Sequence, residues 1–328
     1  MTDFSGPLFV VGSPRSGTKL LRDLLNRNPM INLCDPESHF IPYLFGKFGG
    51  DPDVFDVDLD AFFAEFERMP FQVFARSMGK PVMTRADFDQ LADVSTWTDA
   101  MRIILRFYGD RDARPDAIWG DKTPSYVRDM PLLKRIMPHA RFLHIIRDPR
   151  DVALSVRDAW NHNVRRSAAK WARNVAEGRA AGAALGADYM EIYYEDMLRD
   201  TAQTLGGVCR FLGIPYDDAM TSLSRPSENI GSAAGKTFVD TGNLAKFRKS
   251  MRRSDQQRIE EIVFDQARET PYEMDFATRH RPLSRIEYGM VAGADAARSV
   301  VLHIQKKGVI DGIKINIGNR LQKRRKSS

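Results

Sequence analysis

The eight residues Gly12 to Lys19 read GSPRSGTK, and they gather two glycines, three hydroxyl side chains and two cations in one short stretch. Such a loop, opening a helix, presents backbone N–H groups and the positive end of the helix dipole to an anion. Gly12 and Gly17 let the backbone come close to a ligand. Ser13, Ser16 and Thr18 add hydroxyl donors, and Arg15 and Lys19 add charge. The chemistry on offer is the binding of a phosphate or a sulfate. The strict P-loop order, glycine then lysine then a hydroxyl, is absent, because Gly17 is followed by Thr18, Lys19 and two leucines. A magnesium–nucleotide site uses that missing hydroxyl as a metal ligand. A second anion site is offered at 147–151, RDPRD, where an arginine comes first. Arg147 can fork a phosphate with two parallel N–H donors. Ser155, eight residues on, reaches the same group if the intervening helix runs past it.

These residues need elements to hold them. Pro7 to Val11 is a continuous apolar run, the pattern of a strand buried on both faces of a parallel sheet. Leu20, Leu21, Leu24 and Leu25 then form a helical stripe that ends before Pro29. A strand is expected near NLC at 32–34 and a short one at Ala117 to Gly120, before Lys122. Arg141 to Ile146, RFLHII, is the second clear buried strand. Asp148 is placed to cap the next helix and Pro149 to open it. A long helix is expected over 163–185, a strand at Met190 to Tyr194, a helix ending at GIP, a loop over 225–245, and a helix capped by Ser254 that runs to Ala267. Residues 38–112 read as helices and loops. Strands alternating with helices imply an α/β fold with a mainly parallel central sheet flanked by helices, and ligands in such sheets sit at the carboxyl ends of the strands.

Bulk composition narrows the function classes. The chain has 328 residues, 43% hydrophobic and 28% charged, which is ordinary globular material. Cys34 and Cys209 lie far apart, so no disulfide framework or metal spacing is expected, and the histidines form no ligand cluster. The net charge is +6, and the six basic residues of 314–328 (Lys314, Arg320, Lys323, Arg324, Arg325, Lys326) account for all of it. The basic balance therefore belongs to a tail and implies no nucleic-acid face. No apolar run approaches the ~20 residues that span a bilayer. The N-terminus carries no signal-peptide pattern, so the default expectation is a cytoplasmic protein.

With these pieces in order, the chain resembles the sulfotransferases that use 3′-phosphoadenosine 5′-phosphosulfate (PAPS). GSPRSGT at 12–18 is similar to that family's 5′-phosphosulfate loop, and IIRDPRDVALS at 145–155 to its 3′-phosphate motif. YYEDM at 193–197 and FLGIPY at 211–216 resemble the strand and helix that follow in family members, so the likeness covers about residues 7–270. It implies a P-loop-like three-layer fold, PAPS as co-substrate with no metal, and a hydroxyl-bearing acceptor. It further implies a sulfotransferase domain over 1–281, with a helical acceptor-side insertion about 38–115, followed by a C-terminal extension, 282–328.

The resemblance also assigns roles. Ser13, Arg15, Ser16, Gly17, Thr18 and Lys19 would bind the phosphosulfate, Arg147 and Ser155 the 3′-phosphate, and Tyr194 would lie near the adenine or else be a core tyrosine. LAKFRKSM at 244–251 resembles the late basic segment, making Arg248 and Lys249 phosphate contacts, although Ser250 stands where the cytosolic branch has glycine. That branch uses a histidine base in the segment that here reads WGDKTPSY, which has none. The chain is closer to the branch with a glutamate base, such as the tyrosyl-protein and carbohydrate enzymes, and Glu37 in CDPESHFIPYL is the matching position. Glu37 is the base or a helix cap, and His39 is the competing base. Lys122 lies close to the transferred group or is a surface lysine beside Asp121. Arg15 would support charge on the transferred group. The alternatives are a P-loop small-molecule kinase using ATP and magnesium, and an inactive nucleotide-binding scaffold. The tail can rest on an anionic membrane surface or serve as a disordered solubilising end. The acceptor and the oligomeric state are not legible.

Overall fold

The computed structural model describes residues 4–110, 112–227 and 235–307, with side chains as far as residue 298. The chain forms two compact units, one drawn from Met1–Arg147 and Asn174–Gly242, the other from Asp148–Arg173 and Asn243–Ser328.

The first unit is built on five strands, β1 (Leu8–Gly12), β2 (Ile31–Leu33), β3 (Ile118–Lys122), β4 (Arg141–Ile146) and β5 (Tyr189–Tyr193). They lie in the order β2-β3-β1-β4-β5, and every pairing is parallel. β1 and β4 are apolar because helices flank the sheet and both strand faces are buried, Arg141 alone being partly exposed. Helix α1 (Thr18–Leu25) follows β1 and turns Leu21, Leu24 and Leu25 inward, the stripe its spacing dictates. The chain leaves β1 toward β2 on one side and leaves β4 toward β5 on the other. Strand order therefore reverses between β1 and β4, which opens a crevice at their carboxyl ends. The register sets Gly12 opposite Ile145 and Val10 opposite Lys122, so the loop after β1, Arg147 and Lys122 share one sheet edge.

Between β2 and β3 the chain forms α2 (Ile41–Phe48), α3 (Leu59–Glu67), α4 (Pro70–Ser77) and α5 (Trp97–Phe107). Asp58 caps α3 by accepting the Asp60 and Ala61 N–H groups, and Thr96 caps α5 by accepting the Asp99 N–H. The phenylalanines of this region pack as core. Phe40, Phe45, Phe62 and Phe66 are buried, with Phe40 edge-on to Phe66 at 5.2 Å and Phe45 edge-on to Trp97 at 5.2 Å. Each such pair adds about 0.5–1.5 kcal/mol beyond simple burial. Helix α6 (Met130–Ile136) precedes β4, while α9 (Tyr194–Arg199) and α10 (Thr201–Leu212) follow β5.

The second unit holds α7 (Pro149–Trp160), α11 (Phe247–Ser250), α12 (Arg253–Ala267) and α13 (Arg285–Lys307), together with the first ten residues of α8 (Val164–Leu185). Asp148 caps α7 by accepting the Arg150 N–H, and Pro149 opens it, as the sequence implies. Three details differ from expectation. Arg252, not Ser254, occupies the cap position of α12. Tyr194 begins a helix rather than ending β5. The extension after residue 281 contains a 23-residue helix, α13, whose Gly289 and Gly293 blur its periodicity in the sequence. Asp295 secures it, accepting from Arg166 at 2.8 Å and from the Asn163 N–H at 2.8 Å. The basic tail and residues 228–234 of the expected 225–245 loop lie outside the described residues. No helix among the described residues is long and apolar enough to cross a membrane. Both cysteines are buried and unbridged.

Candidate active site

The loop after β1 has the form its sequence implies. Gly12 and Gly17 both have positive φ, 153° and 93°, and Arg15 between them is held at 70°. An arginine in the left-handed region stores strain, a cost met at sites that need a fixed backbone. No side chain caps α1, because the cap position is Gly17, which has no side chain to accept its first N–H groups. A Cβ at Gly17 would come within 2.4 Å of the Tyr194 ring, so the loop closes this tightly only because the position is glycine. Ser13 and Thr18 are buried, and Asn174 donates to the Ser13 hydroxyl at 3.2 Å. Ser16 is 0% exposed, and its hydroxyl has no hydrogen-bond partner among the described residues. A buried hydroxyl in that state costs about 1–3 kcal/mol unless something completes it, and an anion oxygen in the loop would do so.

Arg147 stands at the end of β4, beside this loop. One guanidinium N–H donates to the Arg15 carbonyl at 3.3 Å, and the guanidinium lies 4.3 Å over the Tyr194 ring. Tyr194 is thus a buried support for Arg147 and a wall for Gly17. Arg15 and Lys19 are half-buried. The other residues expected at the phosphates belong to the second unit: Ser155 is half-buried on α7, and Arg248 and Lys249 are exposed on α11.

A second cluster lies at the ends of β2 and β3. Lys122 is 4% exposed and donates to Glu37 Oε1, so it is no surface lysine. Glu37 Oε2 meets His39 Nε2 at 2.9 Å, and His39 Nδ1 lies 3.3 Å from the Ser125 hydroxyl. Burial pushes the Glu37 carboxyl up, but the His39 hydrogen bond and the Lys122 charge outweigh it and hold the group down at about 2. Glu37 caps nothing: no side chain caps α2, and the Ile41 N–H donates to the Tyr126 hydroxyl at 3.2 Å. The two candidate bases are therefore one hydrogen-bonded pair, with Glu37 also bound to the lysine.

The residues that hold this cluster were not legible as site residues. Asp121, fully buried on β3, accepts from Ser38 Oγ at 2.8 Å, from the Ser38 N–H at 3.4 Å and from the Cys34 thiol at 3.1 Å. Burial raises its pKa. The Ser38 hydroxyl also meets Tyr126 Oη at 2.8 Å. On the other flank Asp35 pairs with Arg22 at 2.6 Å and with Lys80 at 2.6 Å. The segment 34–38 is thus pinned at three of its residues while Glu37 stays a third exposed. The only sequence signal was alternation: on a strand, Asp121 and Lys122 must face opposite ways. Among the described residues no three His, Cys, Asp or Glu side chains cluster as a metal site would require.

Comparison with known proteins places this geometry. The protein-tyrosine sulfotransferase 1 of Danio rerio is 24% identical over 237 residues, covering 70% of this chain and 58% of that protein. The protein-tyrosine sulfotransferase 2 of Gallus gallus is 23% identical over 242 residues, covering 70% and 56%. The chain therefore spans little more than half the length of these curated relatives. Among solved structures, the sulfotransferase domain of the Synechococcus PCC 7002 olefin synthase shares the fold, with a TM-score of 0.52 at 19% identity over 88% of this chain and 94% of that one. The sequence model of the Sulfotransferase family matches residues 7–218, the span that carries the sheet, the anion loop and the Glu37–Lys122 pair, and the chain belongs to that family.

Proposed function

We propose that this protein transfers the sulfuryl group of PAPS to a hydroxyl of a small-molecule, carbohydrate or lipid acceptor by in-line displacement. The donor supplies an activated sulfuryl group on a 5′-phosphate and a second anion at its 3′ position. The residues present fit such a molecule, since the uncapped start of α1 and the partnerless Ser16 hydroxyl can take one anion. Ser13, Arg15, Gly17, Thr18 and Lys19 complete that cradle. Arg147, Ser155, Arg248 and Lys249 are the candidates for the 3′-phosphate. Residues 1–281 would carry the reaction.

The observation that carries the reading is the Glu37 carboxylate bound to a buried lysine at the sheet edge that also bears the anion loop. Glu37 accepts the acceptor's hydroxyl proton. At about 2 it is ionised at any working pH but is a weak base while Lys122 holds it. When Lys122 turns its N–H donors to charge developing on the transferring group, Glu37 loses that partner and gains basicity. One shift of the lysine thus serves both charge stabilisation and proton removal. The relatives are protein-tyrosine sulfotransferases, so a tyrosine hydroxyl is the first acceptor to try.

Calorimetry without magnesium tests the donor: adenosine 3′,5′-bisphosphate should bind and ATP should not. Glu37→Ala should keep that binding and lose transfer of labelled sulfate from PAPS by about a hundredfold or more. Undiminished transfer would place the base elsewhere.

A further inference from the structure

The second arginine of the 147–151 run does not face solvent. Arg150 is 2% exposed. Its guanidinium donates to Asp148 at 3.0 and 2.8 Å, to Glu260 at 2.9 Å and to Asp275 at 3.4 Å. The same group lies 3.9 Å over the ring of Phe247. The next residue, Asp151, is also buried and accepts the Phe247 N–H at 2.9 Å. The first turn of α7 therefore grips one residue twice, through its ring and through its backbone. Phe247 opens α11, which carries Arg248 and Lys249. Arg248 in turn reaches Asp275 at 3.5 Å, the carboxylate that Arg150 also touches. Ser155 lies one helical turn beyond Asp151, on the α7 face to which α11 is fastened.

We propose that Arg150 and Asp151 are positioning residues for the donor's 3′-phosphate, holding α11 so that Arg248 and Lys249 stay on the Ser155 face of α7. The inference rests on the PAPS reading above. Neither residue touches the phosphate. Their part is to order a short basic segment in advance, so that binding does not have to meet the entropy of ordering it. Asp275, which Arg150 also touches, already pairs with Arg248 before any anion arrives.

The test compares two nucleotides on the full chain by calorimetry, adenosine 3′,5′-bisphosphate and adenosine 5′-phosphate. The native protein should prefer the bisphosphate. Asp151→Ala should weaken bisphosphate binding about tenfold and leave the monophosphate unchanged, as expected when a buried bond to a carboxylate is lost. Asp151→Asn should restore the preference, because its amide oxygen still accepts the Phe247 N–H. Should Asp151→Ala not fold, Phe247→Leu reads the same preference by removing the ring under Arg150. A preference unchanged in these variants, or equal weakening for both nucleotides, overturns the proposal. If the native protein itself binds both nucleotides alike, the donor reading fails and takes this proposal with it, and that arm uses no variant.

Discussion

Two short segments without strand structure are tied down in this molecule, the 34–38 segment in the first unit and the 247–250 segment in the second, and each is held by a buried aspartate. Asp121 accepts a hydroxyl, a thiol and a backbone N–H, with no arginine among its hydrogen-bond donors. Asp151 accepts the Phe247 N–H and sits beside Arg150, which is bound to three carboxylates. The contrast follows from what each segment must present. In the first segment neutral donors meet Asp121 while Arg22 and Lys80 hold Asp35, and under the proposed mechanism Glu37 keeps its charge for Lys122 and then for a proton. Arg248 and Lys249 are adjacent cations, and Asp275, shared with Arg150, gives the first of them an acidic partner.

The two anchors differ most at Arg150. Arg150→Met leaves Asp148, Glu260 and Asp275 without their shared cation, and unfolding in urea should show a loss of about 3–5 kcal/mol. A loss under about 1 kcal/mol would mean that the network holds nothing. Next in size is Lys122→Ala, which should slow sulfuryl transfer by about a hundredfold while leaving folding intact. In that variant the acid limb of the rate profile should rise part of the way from about 2 toward the ordinary carboxylate range near ~4.3, since the His39 bond remains. The sign follows from the depressed native value: the ionised form is what Lys122 favours, so its removal can only raise the limb. A limb that does not move would separate Glu37 from Lys122 in solution. The smallest effect sharpens the contrast: Ser38→Ala removes a neutral donor to Asp121 and should cost about 1–2 kcal/mol of stability, well below Arg150→Met. Equal losses in the two variants would erase the distinction between the two anchors.

How much of this was legible varies by region. β4 begins and ends where RFLHII does, and α7 starts at Pro149 under an Asp148 cap, because apolar runs and caps are local properties. Phe40, Phe62 and Phe66 could be read as apolar residues but not as core rather than pocket wall, since that depends on which helices meet. Arg150 carries no role in the sequence reading of RDPRD. Glu260 and Asp275, more than a hundred residues away, give it one. α13 was missed because glycines break its stripe, while its anchor is a pairing of Asp295 with Arg166 across 129 residues.

The strand–loop–helix start with its glycines, hydroxyls and cations, the arginine after β4, and the presence of a glutamate at 37 and a lysine at 122 can all be read along the chain. These follow from residue chemistry and short-range spacing. Folding was needed to make Glu37 and Lys122 partners, to join Glu37 and His39 as one hydrogen-bonded pair, and to make anchors of Asp121 and Asp151. Each of those facts is a contact between residues dozens of positions apart or a question of which way a short loop faces, and packing between distant parts of the chain sets both.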